Sequence, residues 1–157
     1  MGVSVIRHRE SSAMTSRTGL LHLNLNVASL EISERFYVDG LGFELVERSE
    51  ELADFGSGEE PVRQAILTLP GTGSILALTH APTLPVGSHG LNHFGVVVEP
   101  DTDLMPILDR VVQCGGSVQK SGRRDSGEQS ELYAYVRDPD GYAVELSCQS
   151  ILYSRME

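Results

Sequence analysis

Lysine is almost missing from this chain. Lys120 is the only one in 157 residues, and acidic side chains outnumber basic ones 22 to 12. The resulting net charge of −10 argues against nucleic acid or an anionic membrane surface as the main partner, because both call for a basic face. Long apolar runs are missing too: none approaches the roughly 20 residues that a membrane helix needs. Residues 1–18 are polar and carry no apolar core of a secretion signal. Ile6 breaks the myristoylation pattern that Met1-Gly2 would open. We expect this stretch to be a flexible tail ahead of a single domain, 19–157. Cysteine is scarce, and Cys114 and Cys148 lack metal-type spacing. They are expected to be reduced, partly buried thiols of a cytoplasmic protein.

What is present is the composition of a globular protein, 40% apolar and 22% charged, long enough for one domain with a real core and too short for two. Leu20 to Val27 alternates strictly, with Leu21, Leu23, Leu25 and Val27 on one face and His22, Asn24 and Asn26 on the other. Ser29 can cap a helix running to about Val38, with Gly40 as its stop. Strands are expected at Phe43–Arg48, Val62–Leu69 and Ser74–Thr79, with an acidic loop over 49–60 and a Pro-Gly turn at 70–73. Residues 81–90, with two prolines and two glycines, form the only good linker.

After it the pattern starts again. Asn92 to Glu99 places His93, Gly95 and Val97 on one face. Asp101 or Thr102 can cap a helix with Leu104, Ile107, Leu108, Val111 and Val112 at helical spacing. Gly115-Gly116 ends it, Ser117–Lys120 is a short strand, and 121–130 is expected to be a polar loop. The stretch from Arg137 to Leu146 (RDPDGYAVEL) is the strongest local signal. Pro-Asp-Gly sets a three-residue hairpin with a glycine bulge, which puts Tyr135 opposite Glu145. Glu145 is then a lone carboxylate in an apolar strand, a position that calls for a proton, a cation or a metal.

The halves 20–80 and 91–148 superpose as two βαβββ modules, with 149–157 left as a C-terminal extension. His22 falls on His93 and Ala77 on Glu145. An α+β fold results, in which a curved mixed sheet lines a central cavity with the strands' polar faces. Among the positions it brings together are His22, His93 and Glu145. Two histidines and a carboxylate with open positions suit one divalent metal, with Fe2+ favoured and Mn2+, Zn2+ or Ni2+ compatible. Tyr135 would stand beside Glu145 as a proton donor or shuttle. Asn24, Tyr133 and Arg124 are candidate contacts to a small-molecule substrate. Arg124 belongs with Lys120 and Arg123 to the one basic cluster, which suits either an anionic substrate or a solvated loop. His80 and His89 lie on the linker, where surface histidines are the simpler expectation.

With these residues in place, the chain resembles the vicinal oxygen chelate superfamily, which includes glyoxalase I, extradiol dioxygenases, fosfomycin-resistance enzymes and bleomycin-resistance proteins. The matching stretches are LHLNLNV, FYVDGLGF, NHFGVVVE and DPDGYAVEL, in order from residue 20 to about 148. The resemblance implies metal ligands at His22, His93 and Glu145, an active-site tyrosine at Tyr135, and a homodimer. It also implies a metal-dependent enzyme whose substrate chelates the metal through adjacent oxygens, with a metal-free drug binder or a fosfomycin-type thiol transferase as alternatives. Two positions depart from particular members: Ala77 stands where glyoxalase I carries a carboxylate, and Asn24 where fosfomycin enzymes carry threonine.

Overall fold

A computed structural model describes residues 20–52, 62–126 and 129–148. The tail expected at 1–18, most of the loop at 49–60 and the C-terminal extension lie outside the described residues. The first half runs β1 (His22–Asn26), α1 (Leu30–Arg35), β2 (Glu44–Leu52), β3 (Val62–Thr68) and β4 (Ile75–His80). The second runs β5 (Phe94–Val97), α2 (Met105–Gln113), β6 (Ser117–Ser126), β7 (Gln129–Arg137) and β8 (Ala143–Ser147). Each half is a βαβββ module with its own four-stranded mixed sheet, in the orders β1-β4-β3-β2 and β5-β8-β7-β6. The expected α+β fold therefore forms, its sheet divided into two hydrogen-bonded halves.

The repeat extends to the register. Asn24 lies opposite Ala77 in the parallel pair β1–β4, and Gly95 lies opposite Glu145 in the parallel pair β5–β8. In each module the residue two beyond a histidine faces the same place on the last strand. The antiparallel neighbour of Ala77 is Ile66, and that of Glu145 is Tyr135. His22–Ala77–Ile66 in one module thus matches His93–Glu145–Tyr135 in the other.

The local differences from expectation have physical causes. Ser29 caps α1, its hydroxyl accepting from Ile32 N–H at 3.4 Å, but the α-helix ends at Arg35 and a wide π-type turn follows over Phe36–Gly40. That turn carries both Phe36 and Tyr37 into the core, each fully buried. The second helix begins later than Asp101 or Thr102 would set it. Asp101 takes a left-handed φ of 62°, Pro106 sits in the first turn, and Asp103 Oδ1 accepts from Met105 N–H at 3.0 Å. The expected polar loop at 121–130 is mostly strand. β6 continues to Ser126 and pairs with β7 down to Ser126–Gln129, because alternate polar residues on an exposed ladder satisfy their backbone by pairing.

Gly116 is where the second module accepts the first: a Cβ there would stand 2.3 Å from the Phe36 ring and 2.7 Å from the Arg137 carbonyl. The β7–β8 hairpin completes the join. Gly141, at φ 89°, supplies the expected bulge, and Gly141 N–H donates to the Asp138 carbonyl at 3.0 Å. Asp140 reaches the start of α1, accepting from Ala28 N–H at 3.1 Å and from the Ser33 hydroxyl at 2.9 Å. Tyr142 donates its hydroxyl to the Asn26 carbonyl at 2.9 Å. Asp138 accepts from Tyr37 at 2.8 Å and from the backbone of Asp140 and Tyr142. One buried core spans both modules, so the hairpin fixes where the second sheet's polar face stands relative to β1.

Candidate metal centre

β5 and β8 position the site. The parallel pairing that sets Gly95 opposite Glu145 brings His93, just before β5, to the carboxylate: His93 Nε2 lies 3.2 Å from Glu145 Oε2. The other imidazole nitrogen, Nδ1, lies 2.6 Å from the Asn92 side-chain oxygen. With a proton on Nδ1 satisfying that oxygen, Nε2 either carries a second proton to Glu145 or gives its lone pair to a cation held between them, the second being the arrangement that second-shell oxygens support in metal-ligating histidines. Sequence reasoning did not single out Asn92; its only signal is its place beside His93.

The spacing suits a shared cation. Two donors at about 2.1 Å from one ion stand roughly 3.0 Å apart at neighbouring octahedral positions and roughly 3.4 Å apart in a tetrahedron. The observed 3.2 Å lies between. Both side chains are partly sheltered, His93 at 35% and Glu145 at 15% exposure. The second oxygen of Glu145, Oε1, accepts from Arg124 Nη2 at 3.1 Å. This contact raises the Arg124 pKa, with a smaller contribution from Tyr135. Tyr135 lies opposite Glu145, as the hairpin register predicts, and stands edge-on to His93 with ring centroids 5.3 Å apart. Tyr133 is the next ring along β7, 6.0 Å from Tyr135.

His22 does not join His93 and Glu145 as a third ligand. It is exposed on β1 and, with Phe94 and Gly95 of β5, lines a trough of about 330 Å³ whose wall also includes Leu21, Leu23 and Phe43. Among the described residues, no three His, Cys, Asp or Glu side chains of one chain meet as a single ligand set; His93 and Glu145 meet as a pair. Ala77, the counterpart of Glu145, is buried and has no donor. Asn24 closes a relay in which Gln64 donates to Thr79 at 3.0 Å and Thr79 to Asn24 Oδ1 at 2.8 Å. That relay spends the amide oxygen and leaves the NH2 group for a ligand. His80 is not on the linker but ends β4, where it is tied to the Val27 carbonyl at 3.0 Å, and His89 on the linker is tied to the Val86 carbonyl at 2.7 Å, so both serve the backbone. Cys114 and Cys148 are free and buried.

The family model described as Glyoxalase/Bleomycin resistance protein/Dioxygenase superfamily matches residues 19–146. The chain belongs to that superfamily. It is 30% identical over 131 residues to a probable lactoylglutathione lyase of Synechocystis, covering 81% of this chain and 92% of that protein. It is 32% identical over 133 residues to the lactoylglutathione lyase of Neisseria meningitidis, covering 80% and 87%. The fold matches a glyoxylase/bleomycin resistance protein/dioxygenase domain from Frankia, with TM-score 0.62, 25% identity and coverage of 85% and 98%. It also matches a glyoxalase family protein from Bacillus cereus, with TM-score 0.65, 18% identity and coverage of 87% and 97%.

Proposed function

We propose that the chain is a divalent-metal enzyme of the glyoxalase or dioxygenase type, acting on a small substrate that chelates the metal through adjacent oxygens. The observation that carries this reading is the His93–Glu145 pair, with its 3.2 Å donor spacing and a second-shell oxygen on the far imidazole nitrogen. His93 and Glu145 would hold the ion. Bound there, it would act as a Lewis acid or an oxygen activator. Tyr135 would donate to, or take a proton from, the substrate oxygen beside Glu145, and Asn24 would offer its amide NH2 group.

The third donor is His22, and we propose that it comes from a second copy of the chain, so that His22 of the partner subunit faces His93 and Glu145. Three features support a homodimer. β1 pairs only with β4 and β5 only with β8, so each presents an edge that no described strand covers. Leu20 and Leu21, beside His22, are 90% and 72% exposed, an apolar surface that association would cover. In the module of His22, the position that matches Glu145 is Ala77, which carries no donor.

Relatives named lactoylglutathione lyase support lyase chemistry. Ala77 favours a three-donor centre over one with a fourth-strand carboxylate. The chemistry of the site is tested with acetohydroxamate, a ligand that presents two adjacent oxygens. It should bind protein loaded with Mn2+ or Fe2+ and should not bind metal-stripped protein. Equal binding to both would instead support a metal-free binder.

A further inference from the structure

Lys120 and Arg124 are four residues apart on β6, with Gly122 between them. Gly122 lies opposite Tyr133 on β7, and Lys120 lies opposite Tyr135. The bare glycine lets the Tyr133 ring lean over β6, where a Cβ would already touch the Tyr133 hydroxyl at 3.4 Å. The two cations bracket that ring: Arg124 Cζ is 4.8 Å and Lys120 Nζ 5.7 Å from its centroid. In a chain of net charge −10, an anion is repelled at long range and needs such a local pair to be held.

Arg124 already has an anion, the Oε1 of Glu145. The guanidinium stays in reach of solvent at 44% exposure, whereas the carboxylate is sheltered at 15%. Beside Glu145 the floor is open, since a Cβ on Gly95 would meet nothing within 4 Å among the described residues. Two residues along β8 on the same face, and opposite Tyr133, Ser147 holds a buried hydroxyl with no hydrogen-bond partner among the described residues. A cation with a replaceable partner, an unfilled floor and an orphaned hydroxyl stand together on one sheet face.

We infer that Arg124 and Lys120, on either side of Tyr133, bind a carboxylate of the substrate, which replaces Glu145 as the partner of Arg124. The substrate class is therefore an oxygen chelator that is also a carboxylic acid. This rests on the reading of His93 and Glu145 as metal ligands, and it adds a linkage to that reading. Whatever engages Glu145 loosens its hold on Arg124 and raises the affinity for the anion. By reciprocity, the anion frees Glu145 for the metal.

Benzoate and its neutral counterpart benzamide are suitable probes, titrated by NMR into metal-stripped protein. Glu145→Gln should bind benzoate about tenfold more tightly than the wild type, within the usual range of coupling between sites. Benzamide affinity should not change. Arg124→Gln should lose the preference for benzoate, Lys120→Gln should lose part of it, and the E145Q/R124Q double variant should lose the gain of E145Q. Unchanged benzoate affinity in E145Q, or a benzoate preference that survives R124Q, overturns the inference even if metal binds. The tenfold gain in a protein that takes up no metal would uphold the carboxylate site and overturn the metal reading alone.

Discussion

Tyr37 of the first module donates its hydroxyl to Asp138 of the second at 2.8 Å, with both residues buried. Burial is the main reason that the Asp138 pKa rises from 3.8 to about 6, partly offset by its hydrogen bonds from Tyr37 and the Tyr142 backbone. Burial likewise raises Tyr37, so the phenol remains the donor. The carboxylate that joins the modules is thus the costly state of this contact. Because the folded pKa lies above the unfolded one, the native state binds the proton more tightly. Asp138 then favours folding at pH 4 and progressively less as pH rises to about 6, with no further change above it. Two pH units correspond to roughly 2–3 kcal/mol. Asp138→Asn should flatten this interval, which urea titrations of both proteins at pH 4.5 and 7.5 would measure. An unaltered pH slope in the variant would contradict the account.

A site shared between copies predicts complementation. His22→Ala and Glu145→Ala homodimers should each bind no metal tightly. Mixed in equal amounts and allowed to exchange subunits, they should recover about a quarter of the wild-type sites, since half of the dimers are then mixed and one of the two interfaces in each keeps His93, Glu145 and the partner subunit's His22. No recovery in demonstrably mixed dimers would contradict a site shared between copies.

Tyr135 should matter for turnover and not for metal. Tyr135→Phe keeps the ring edge-on to His93 and removes only the hydroxyl. Metal affinity should stay within about threefold, and turnover should fall by roughly 10²–10⁴ if the hydroxyl moves a proton in the slow step. A comparable loss of metal would make Tyr135 a structural support of the pair.

Gly116 and Gly95 separate packing from site. Gly116→Ala drives a methyl into Phe36 and the Arg137 carbonyl and should cost about 1–3 kcal/mol, the usual penalty of overpacking. Gly95→Ala meets open space and should change stability little while narrowing the floor beside Glu145. Thermal melts of the two variants give the comparison, and similar losses in both would mean that Gly95 is packed in a way this structure does not have.

Much of this architecture was legible in the sequence. The alternation at 20–27, the Ser29 cap and the Pro-Asp-Gly hairpin are local signals, and each specifies its own backbone. The hairpin set the Tyr135–Glu145 pairing, and the repeat set the correspondence of Ala77 with Glu145. The length of β6 was not legible, because exposed polar residues look alike in a ladder and a loop. Nor were the partners of Asp138 and Asp140. Turn chemistry explains an aspartate at both positions, and only the packing of the modules shows that Asp140 ties down Ala28 and Ser33 around the start of α1 and that Asp138 meets Tyr37. The approach of Arg124 to Glu145 depends on two strands 21 residues apart and on a tyrosine ring lying over a glycine. No periodicity encodes that.

The most direct measurement is metal stoichiometry. Protein purified without added metal, then dialysed against a small excess of Mn2+ or Fe2+, should retain about one ion per chain by elemental analysis. Glu145→Ala and His93→Ala should retain none, while melting cooperatively with native circular dichroism. Retention of an ion by both variants, or by neither variant nor wild type, would contradict the assignment of His93 and Glu145 as the core of a metal centre.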